Sequence, residues 1–240
     1  RFVDLYNYAL PDKEAYINLF PQYANAATQL QGEYEDYIDQ YLRKVKTKSL
    51  SYDFYGLVKN SDLISGMYYS NLDMVRSKTL AKRMPFWVIT QGCECPSARY
   101  PNEEEQRWSV WSNIAVGSKG ISYFCYWTPS GTTWESLIDL EGNRTQMYDW
   151  VKKINADINT VGKKLLPCHA DGAIMTATKY YPLYDNGGAG RTNYGPVKAV
   201  SGSQSILCGC FRDARRSEAG DGYKGYKNLV MSEMPNRTVE

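Results

Sequence analysis

Pro85-Phe86-Trp87-Val88-Ile89-Thr90 and Gly120-Ile121-Ser122-Tyr123-Phe124-Cys125-Tyr126-Trp127 are short runs dominated by β-branched and aromatic residues, each followed by a polar loop and then an amphipathic stretch. Such residues suit a pleated, packed surface, so both runs read as strands. Working back toward the N-terminus, the same unit occurs twice more, at Ala15-Tyr16-Ile17-Asn18-Leu19-Phe20 and Ser49-Leu50-Ser51-Tyr52-Asp53-Phe54-Tyr55. The four starts lie roughly 35 residues apart, the length of one strand-plus-helix unit in a (β/α)₈ barrel.

The intervening segments carry helical signals. Tyr34, Tyr37, Ile38, Tyr41, Leu42 and Val45 recur at steps of three and four, which places them on one stripe. A second helix is expected from Leu72 to Met84, stopped by Pro85. A third opens at Asn102 with Glu105 three residues on, a capping-box spacing, and closes near Gly117. Its Glu103-Glu104-Glu105 run needs no catalytic role, because negative charge in a first helical turn is stabilising in itself. A fourth is expected from about Arg144 to Leu165, with Met147, Trp150, Val151, Ile154, Ile158, Val161 and Leu165 on one side.

Strands alternating with helices in this way predict a parallel sheet with helices outside it. Closure into a barrel takes about eight strands. Four units therefore read as part of a barrel, as one of two paired copies, or as an open sheet. The first reading is preferred, because Asp4 to Leu10 has the pattern of a helix whose own strand would precede it. After Pro167 the texture changes to short apolar runs separated by Gly- and Asp-rich turns. Strands are expected over 172–178, 195–200, 205–211 and 229–231, an all-β module, with a loop over 186–191 that lacks the features of a phosphate loop.

Composition narrows the function. A net charge of +2 gives no strong field for nucleic acid or acidic membrane, and no apolar run approaches the ~20 residues of a transmembrane helix. His169 is the only histidine, which leaves no multi-histidine metal site and argues against a Ser-His or Cys-His hydrolase. The six cysteines include two Cys-x-Cys pairs, Cys93/Cys95 and Cys208/Cys210, a spacing that suits neither a zinc knuckle nor a thioredoxin motif. On a strand, Cys208 and Cys210 share one face and read as small buried apolar groups. No metal site is expected. Asn143 and Asn236 each begin an Asn-x-Thr triplet, too common by chance to argue from.

In a barrel the working residues sit at the carboxyl ends of the strands and in the loops that follow. Here those positions hold Asn18 and Tyr23, then Tyr52, Asp53 and Tyr55, then Gln91 and Glu94, then Tyr126 and Trp127. Amides, carboxylates and aromatic rings, with 21 Tyr and 6 Trp in the chain, suit sugars: hydroxyls find planar hydrogen-bonding partners and C–H faces stack on rings. Asp53, between Tyr52 and Phe54 at the end of an apolar strand, is the sharpest candidate for acid/base work; its plainer reading is a carboxylate that ties down its own loop or pairs with a neighbouring strand. Gln91 is expected to be exposed by the following Gly92 and to bind ligand. Glu94 is a candidate second carboxylate.

The order and spacing of Ala15-Tyr16-Ile17-Asn18-Leu19-Phe20-Pro21, Leu50-Ser51-Tyr52-Asp53-Phe54-Tyr55, Arg107 to Ala115 into Gly117-Ser118-Lys119-Gly120-Ile121-Ser122-Tyr123-Phe124, and Asp139-Leu140-Glu141-Gly142-Asn143 resemble the later barrel strands of glycoside hydrolases of glycan-degrading gut bacteria, akin to the bacterial β-galactosidase barrels. The resemblance covers roughly residues 10 to 230 and implies strands five to eight of a (β/α)₈ barrel over 1–168 and the start of a β-sandwich over 169–240. It also implies hydrolysis of oligo- or polysaccharide by two carboxylates without a cofactor, in the periplasm or outside the cell. The acid/base carboxylate of such enzymes ends strand four, upstream of these units, and the nucleophile is usually a Glu ending strand seven. This chain has Gln91 there, and an amide can neither form the glycosyl ester nor deprotonate water. Three readings follow: a glycosidase using Asp53 or Glu94, a barrel that binds glycan without cleaving it, and a structural module whose tyrosines contact protein. The partners implied are a carbohydrate together with the first half of the barrel or a second copy of the chain.

Overall fold

The computed structural model describes residues 1–60, 65–176, 197–201, 206–213 and 226–232. The elements run α1 (Phe2–Ala9), β1 (Asn18–Leu19), one π-helical turn (Ala26–Leu30), α2 (Tyr34–Lys44), β2 (Leu50–Asp53), α3 (Tyr68–Ala81), β3 (Phe86–Gln91), α4 (Glu103–Ala115), β4 (Gly120–Phe124) and α5 (Gln146–Leu165). An antiparallel trio follows: β5 (Cys168–Met175), β6 (Ile206–Asp213) and β7 (Tyr226–Ser232).

β1 to β4 form one parallel sheet in sequential order, in register from Asn18 beside Ser51 through to Gln91 beside Phe124. Alternation along each strand divides its side chains between two faces. Leu19, Leu50, Tyr52, Phe86 and Val88 point toward the helices and join Ile38, Leu72, Val75 and Trp108 in the main core. Tyr16, Asn18, Ser51, Asp53, Trp87, Ile89 and Phe124 lie on the opposite face, where Tyr16, Asn18 and Phe124 are exposed. The chain thus contributes an α/β layer with a parallel sheet covered by helices on one side.

Several helices form for the reasons their residues suggest. α2 buries Tyr34, Ile38 and Tyr41 along one stripe, with Glu35 and Asp36 in its first turn and Arg43 and Lys44 in its last, complementing the helix dipole. α4 opens with the expected capping box: the Asn102 side chain accepts from the Glu105 backbone, and the Glu105 carboxylate accepts from the Asn102 backbone. Gly117, just past its end, takes a φ of +109°, which an L side chain rarely adopts. α5 runs from Gln146, two residues later than expected, and buries Met147, Val151, Ile154 and Leu165.

Other boundaries shift. α3 starts four residues before Leu72, because Tyr68 and Tyr69 are themselves buried and the Tyr68 ring packs 4.3 Å from Trp108, which extends the helix at its N-terminal end. It stops before Met84, where Arg83 has a φ of +52°, so Pro85 is not its immediate stop. β1 keeps two residues of the run at Ala15–Phe20, and the turn at Ala26–Leu30, capped by Asn25, carries no signal that was read as a helix. α1 forms where a helix was expected, with none of its residues buried.

The β5–β6–β7 sheet packs on the outer side of α4. Contact is close: a Cβ on Gly209 would lie 1.9 Å from the Ala115 carbonyl oxygen, so only glycine allows β6 this near the helix. β5 begins at Cys168, four residues earlier than expected, and residues 198–200 are not extended into a strand. Cys208 and Cys210 share one buried cluster with Ile174, as their spacing suggests. The loop at 186–191 and Asn236 lie outside the described residues, and Asn143 closes a turn by donating its backbone N–H to Asp139 Oδ1 at 2.7 Å. Among the described residues no helix is long and apolar enough to cross a membrane.

Candidate functional site

Asn18 opens the two-residue β1, and Asp53 ends β2 beside it on the open face. Asn18 Nδ2 donates to Asp53 Oδ1 at 2.6 Å, and Asn18 Oδ1 accepts from Ser51 Oγ at 2.9 Å. Tyr16 reaches the same group, with its hydroxyl 2.6 Å from Ser51 Oγ. Asp53 is half-buried. Burial pushes its carboxyl above the ordinary carboxylate value, and the Asn18 hydrogen bond opposes that shift by favouring the charged form. It is a carboxylate tied to a neighbouring-strand amide, the plainer of its two expected roles, while still half-open.

Tyr23 and Tyr55 complete this corner. The Tyr23 ring meets Phe54 edge-on at 4.9 Å, and Tyr55 stacks on Phe124 at 5.7 Å. Burial, then the Asp53 charge, pushes the Tyr23 hydroxyl up to about 12 and raises that of Tyr55 further. Both phenols therefore remain protonated at neutral pH and can donate a hydrogen bond. Tyr126 and Trp127 follow β4 with exposures of 60% and 53%, leaving ring surface open to stacking.

Three expected contributors are engaged otherwise. Tyr52 is 1% exposed on the helix-facing side, where its hydroxyl donates to Asn113 Oδ1 at 3.1 Å, so its ring is out of reach from the open face. The expectation that Gly92 leaves Gln91 exposed does not hold. Gln91 is 3% exposed, and its Nε2 donates to the carbonyls of Cys93 at 2.9 Å and Arg99 at 2.5 Å, fastening the loop after β3. Glu94 turns to Lys59 in a half-exposed ion pair of 2.6 Å. Asp53 is thus the carboxylate that this corner presents without a cationic partner among the described residues.

Two features escaped the sequence reading. Arg99 holds the buried Glu105 through two bonds of 2.7 and 2.6 Å, so the capping carboxylate also anchors the β3–α4 loop. Cys93 and Cys95, with sulfurs 3.7 Å apart, pack with Cys125, Tyr55 and Trp134 behind the Asp53 corner. The Cys93/Cys95 spacing was visible in the sequence, but its partners Cys125, Tyr55 and Trp134, and Arg99 as the partner of Glu105, are set by how the loops fold. The Tyr16/Asn18 and Ser51/Asp53 pairs did carry a signal: each is spaced by two on a strand, which assigns both to one face. Among the described residues no group of three or more His, Cys, Asp or Glu side chains is arranged to hold a metal ion. An apolar cleft of about 200 Å³ between α4, α5 and β4, lined by Trp111, Ile158, Leu165 and Phe211, lies on the helix side, away from the strand tips.

No protein-family model and no curated protein matches the chain. Among solved structures it is similar to the β-galactosidase from the psychrophilic Marinomonas ef1, at a TM-score of 0.50 and 12% identity over 67% of this chain. The matched part spans 26% of that enzyme, and at this identity the likeness is one of fold: a parallel α/β sheet arranged like part of a β-galactosidase.

Proposed function

We propose that this chain supplies four strands, the fifth to the eighth, of a (β/α)₈ barrel that hydrolyses oligo- or polysaccharide, with the barrel portion over 1–168 and a β-sandwich beginning at 169. The observation that carries the reading is the Asp53 corner: a half-buried carboxylate held by Asn18, flanked by the protonated Tyr23 and Tyr55, at the carboxyl end of a parallel sheet. Sugar hydroxyls need acceptors and donors side by side, and Tyr126 and Trp127 add exposed rings for a pyranose face. The β-galactosidase-like arrangement of the sheet supports the barrel, and closure takes four further strands, from more of the same polypeptide or from a second chain.

On this reading Asp53 is the acid/base or nucleophilic carboxylate, and its partner comes from one of the further strands. Two-carboxylate hydrolysis needs no cofactor. Periplasmic or extracellular action belongs to the same proposal. The test is release of reducing ends from a panel of aryl glycosides and plant and mucin glycans by the closed barrel. Asp53→Asn is expected to lower the rate about 10²–10⁴-fold, and an undiminished rate removes Asp53 from the chemistry.

The withdrawn amide of Gln91 and the ion-paired Glu94 favour a second reading, a barrel that binds glycan without cleaving it. It predicts saturable binding in calorimetry with no product after long incubation. Release of reducing ends that depends on Asp53 rules it out.

A further inference from the structure

Tyr16, Asn18, Ser51 and Asp53 lie on one face of the β1–β2 pair, and their contacts fix a direction as well as a geometry. An ionised carboxylate only accepts hydrogen bonds, so the Asn18 atom 2.6 Å from Asp53 Oδ1 must be the amide nitrogen. Asn18 then presents its carbonyl oxygen to Ser51, whose single hydroxyl proton goes to it across 2.9 Å. With that proton committed, Ser51 Oγ must accept from the Tyr16 hydroxyl at 2.6 Å. Flipping the amide would set its oxygen against a carboxylate oxygen and leave the Ser51 proton facing a donor. The chain therefore runs one way, from Tyr16 through Ser51 and Asn18 to Asp53.

From this juxtaposition we propose that Tyr16 and Ser51 are positioning residues, which orient the Asn18 amide so that it holds Asp53 with one N–H and offers the other to the ligand. Asn18 is exposed, and no side chain among the described residues bonds the second Asp53 oxygen. The result is a donor beside an acceptor, spaced for neighbouring hydroxyls of a sugar. The inference rests on Asp53 facing the ligand, as in the function proposed above, and it assigns work to two residues that need not touch substrate. Ser51 is fully buried and Tyr16 stands at the rim, its ring 6.0 Å from Trp87.

Among the described residues, the groups whose titration the Asp53 charge shifts include the phenols of Tyr23, Tyr34, Tyr37 and Tyr55 and the thiol of Cys95, and none of these is cationic. The test is a ligand-free titration of the protein labelled at the Asp carboxyl carbon, followed by NMR from pH 3 to 7, with the Asp53 signal assigned by its loss in Asp53→Asn. Removing the hydrogen bond in Asn18→Ala should raise the Asp53 midpoint by about one unit. Ser51→Ala should raise it by less, since the freed amide swings between orientations. Tyr16→Phe, which keeps the ring and cannot disturb the buried core, should give the smallest rise. A wild-type midpoint in either Ser51→Ala or Tyr16→Phe overturns the relay, because a purely local packing role would leave Asp53 untouched. The readout needs no sugar. Absent glycan binding would sink the proposed function and leave the relay standing, whereas unmoved midpoints would do the reverse.

Discussion

The two faces of the parallel sheet are built from alternate residues of the same strands, yet they differ in almost every property. Toward the helices stand Leu50, Tyr52, Phe86 and Val88, buried, with the one polar tip, Tyr52, bonded to Asn113. That side continues outward through α4 to β6, where Gly209 lets two backbones meet. Toward the other side stand Tyr16, Asn18, Asp53 and Phe124, exposed or half-exposed, the first three linked through Ser51 by hydrogen bonds between side chains and Phe124 stacked on Tyr55. One face supplies the apolar burial that folds the chain, and the other, which carries the candidate site, keeps polar groups open.

The largest expected effect breaks the helix-facing side. Tyr52→Ala removes a ring 1% exposed from the centre of the main core, and the cavity plus the lost burial should cost about 3–5 kcal/mol, measured by urea denaturation. A loss below about 1 kcal/mol would mean that this side is not where the folding energy resides.

Much of this division was legible in advance. The strand at Phe86 showed in its run of β-branched and aromatic residues, and the capping box at Asn102 and Glu105 placed the start of α4 almost to the residue, because both signals are local. Asn18 and Asp53 were read as strand-end residues, and the hydrogen bond between them joins two adjacent strands. Gln91 was misjudged because its environment is set by a loop that folds back eight residues later, so that the Arg99 carbonyl captures the amide. Tyr52 was misjudged because it sits beside Asp53 in sequence and on the opposite face in space. Glu94 found Lys59, a long-range pairing that no spacing announces. Local patterns specify elements and faces; the partners of polar groups in loops depend on tertiary packing.

A middle-sized effect sharpens the contrast between two carboxylates. Asp73 lies in the helix layer on α3, where burial pushes its carboxyl up to about 6 while Arg76 pulls the other way. Its folded pKa is thus raised above the unfolded value of 3.8. A raised carboxyl contributes no penalty below the unfolded pKa, where both states hold the proton, and it lowers stability as pH rises from about 4 to 6, when the folded state must ionise. Asp73→Asn lacks that dependence. Relative to the variant, the native chain should lose about 1–3 kcal/mol between pH 3 and pH 7, read from urea midpoints at the two pH values. Parallel pH profiles for the two proteins would show that burial does not raise the Asp73 carboxyl in the folded chain.

The smallest effect belongs to the open face and tests whether it is open at all. Phe124 is 36% exposed and packs mainly on Tyr55, so Phe124→Ala should cost about 1 kcal/mol or less for the isolated chain, the scale of a single aromatic pair. The same substitution acts as a gauge of what covers the sheet. If four further strands close over this side, Phe124 passes from rim to interior and its truncation should approach the cost of Tyr52→Ala. Measuring both variants at two protein concentrations separates the cases. A Phe124→Ala cost that stays small at either concentration leaves the chain a one-sided sheet on its own, whereas a cost that grows with concentration means a second copy supplies the cover.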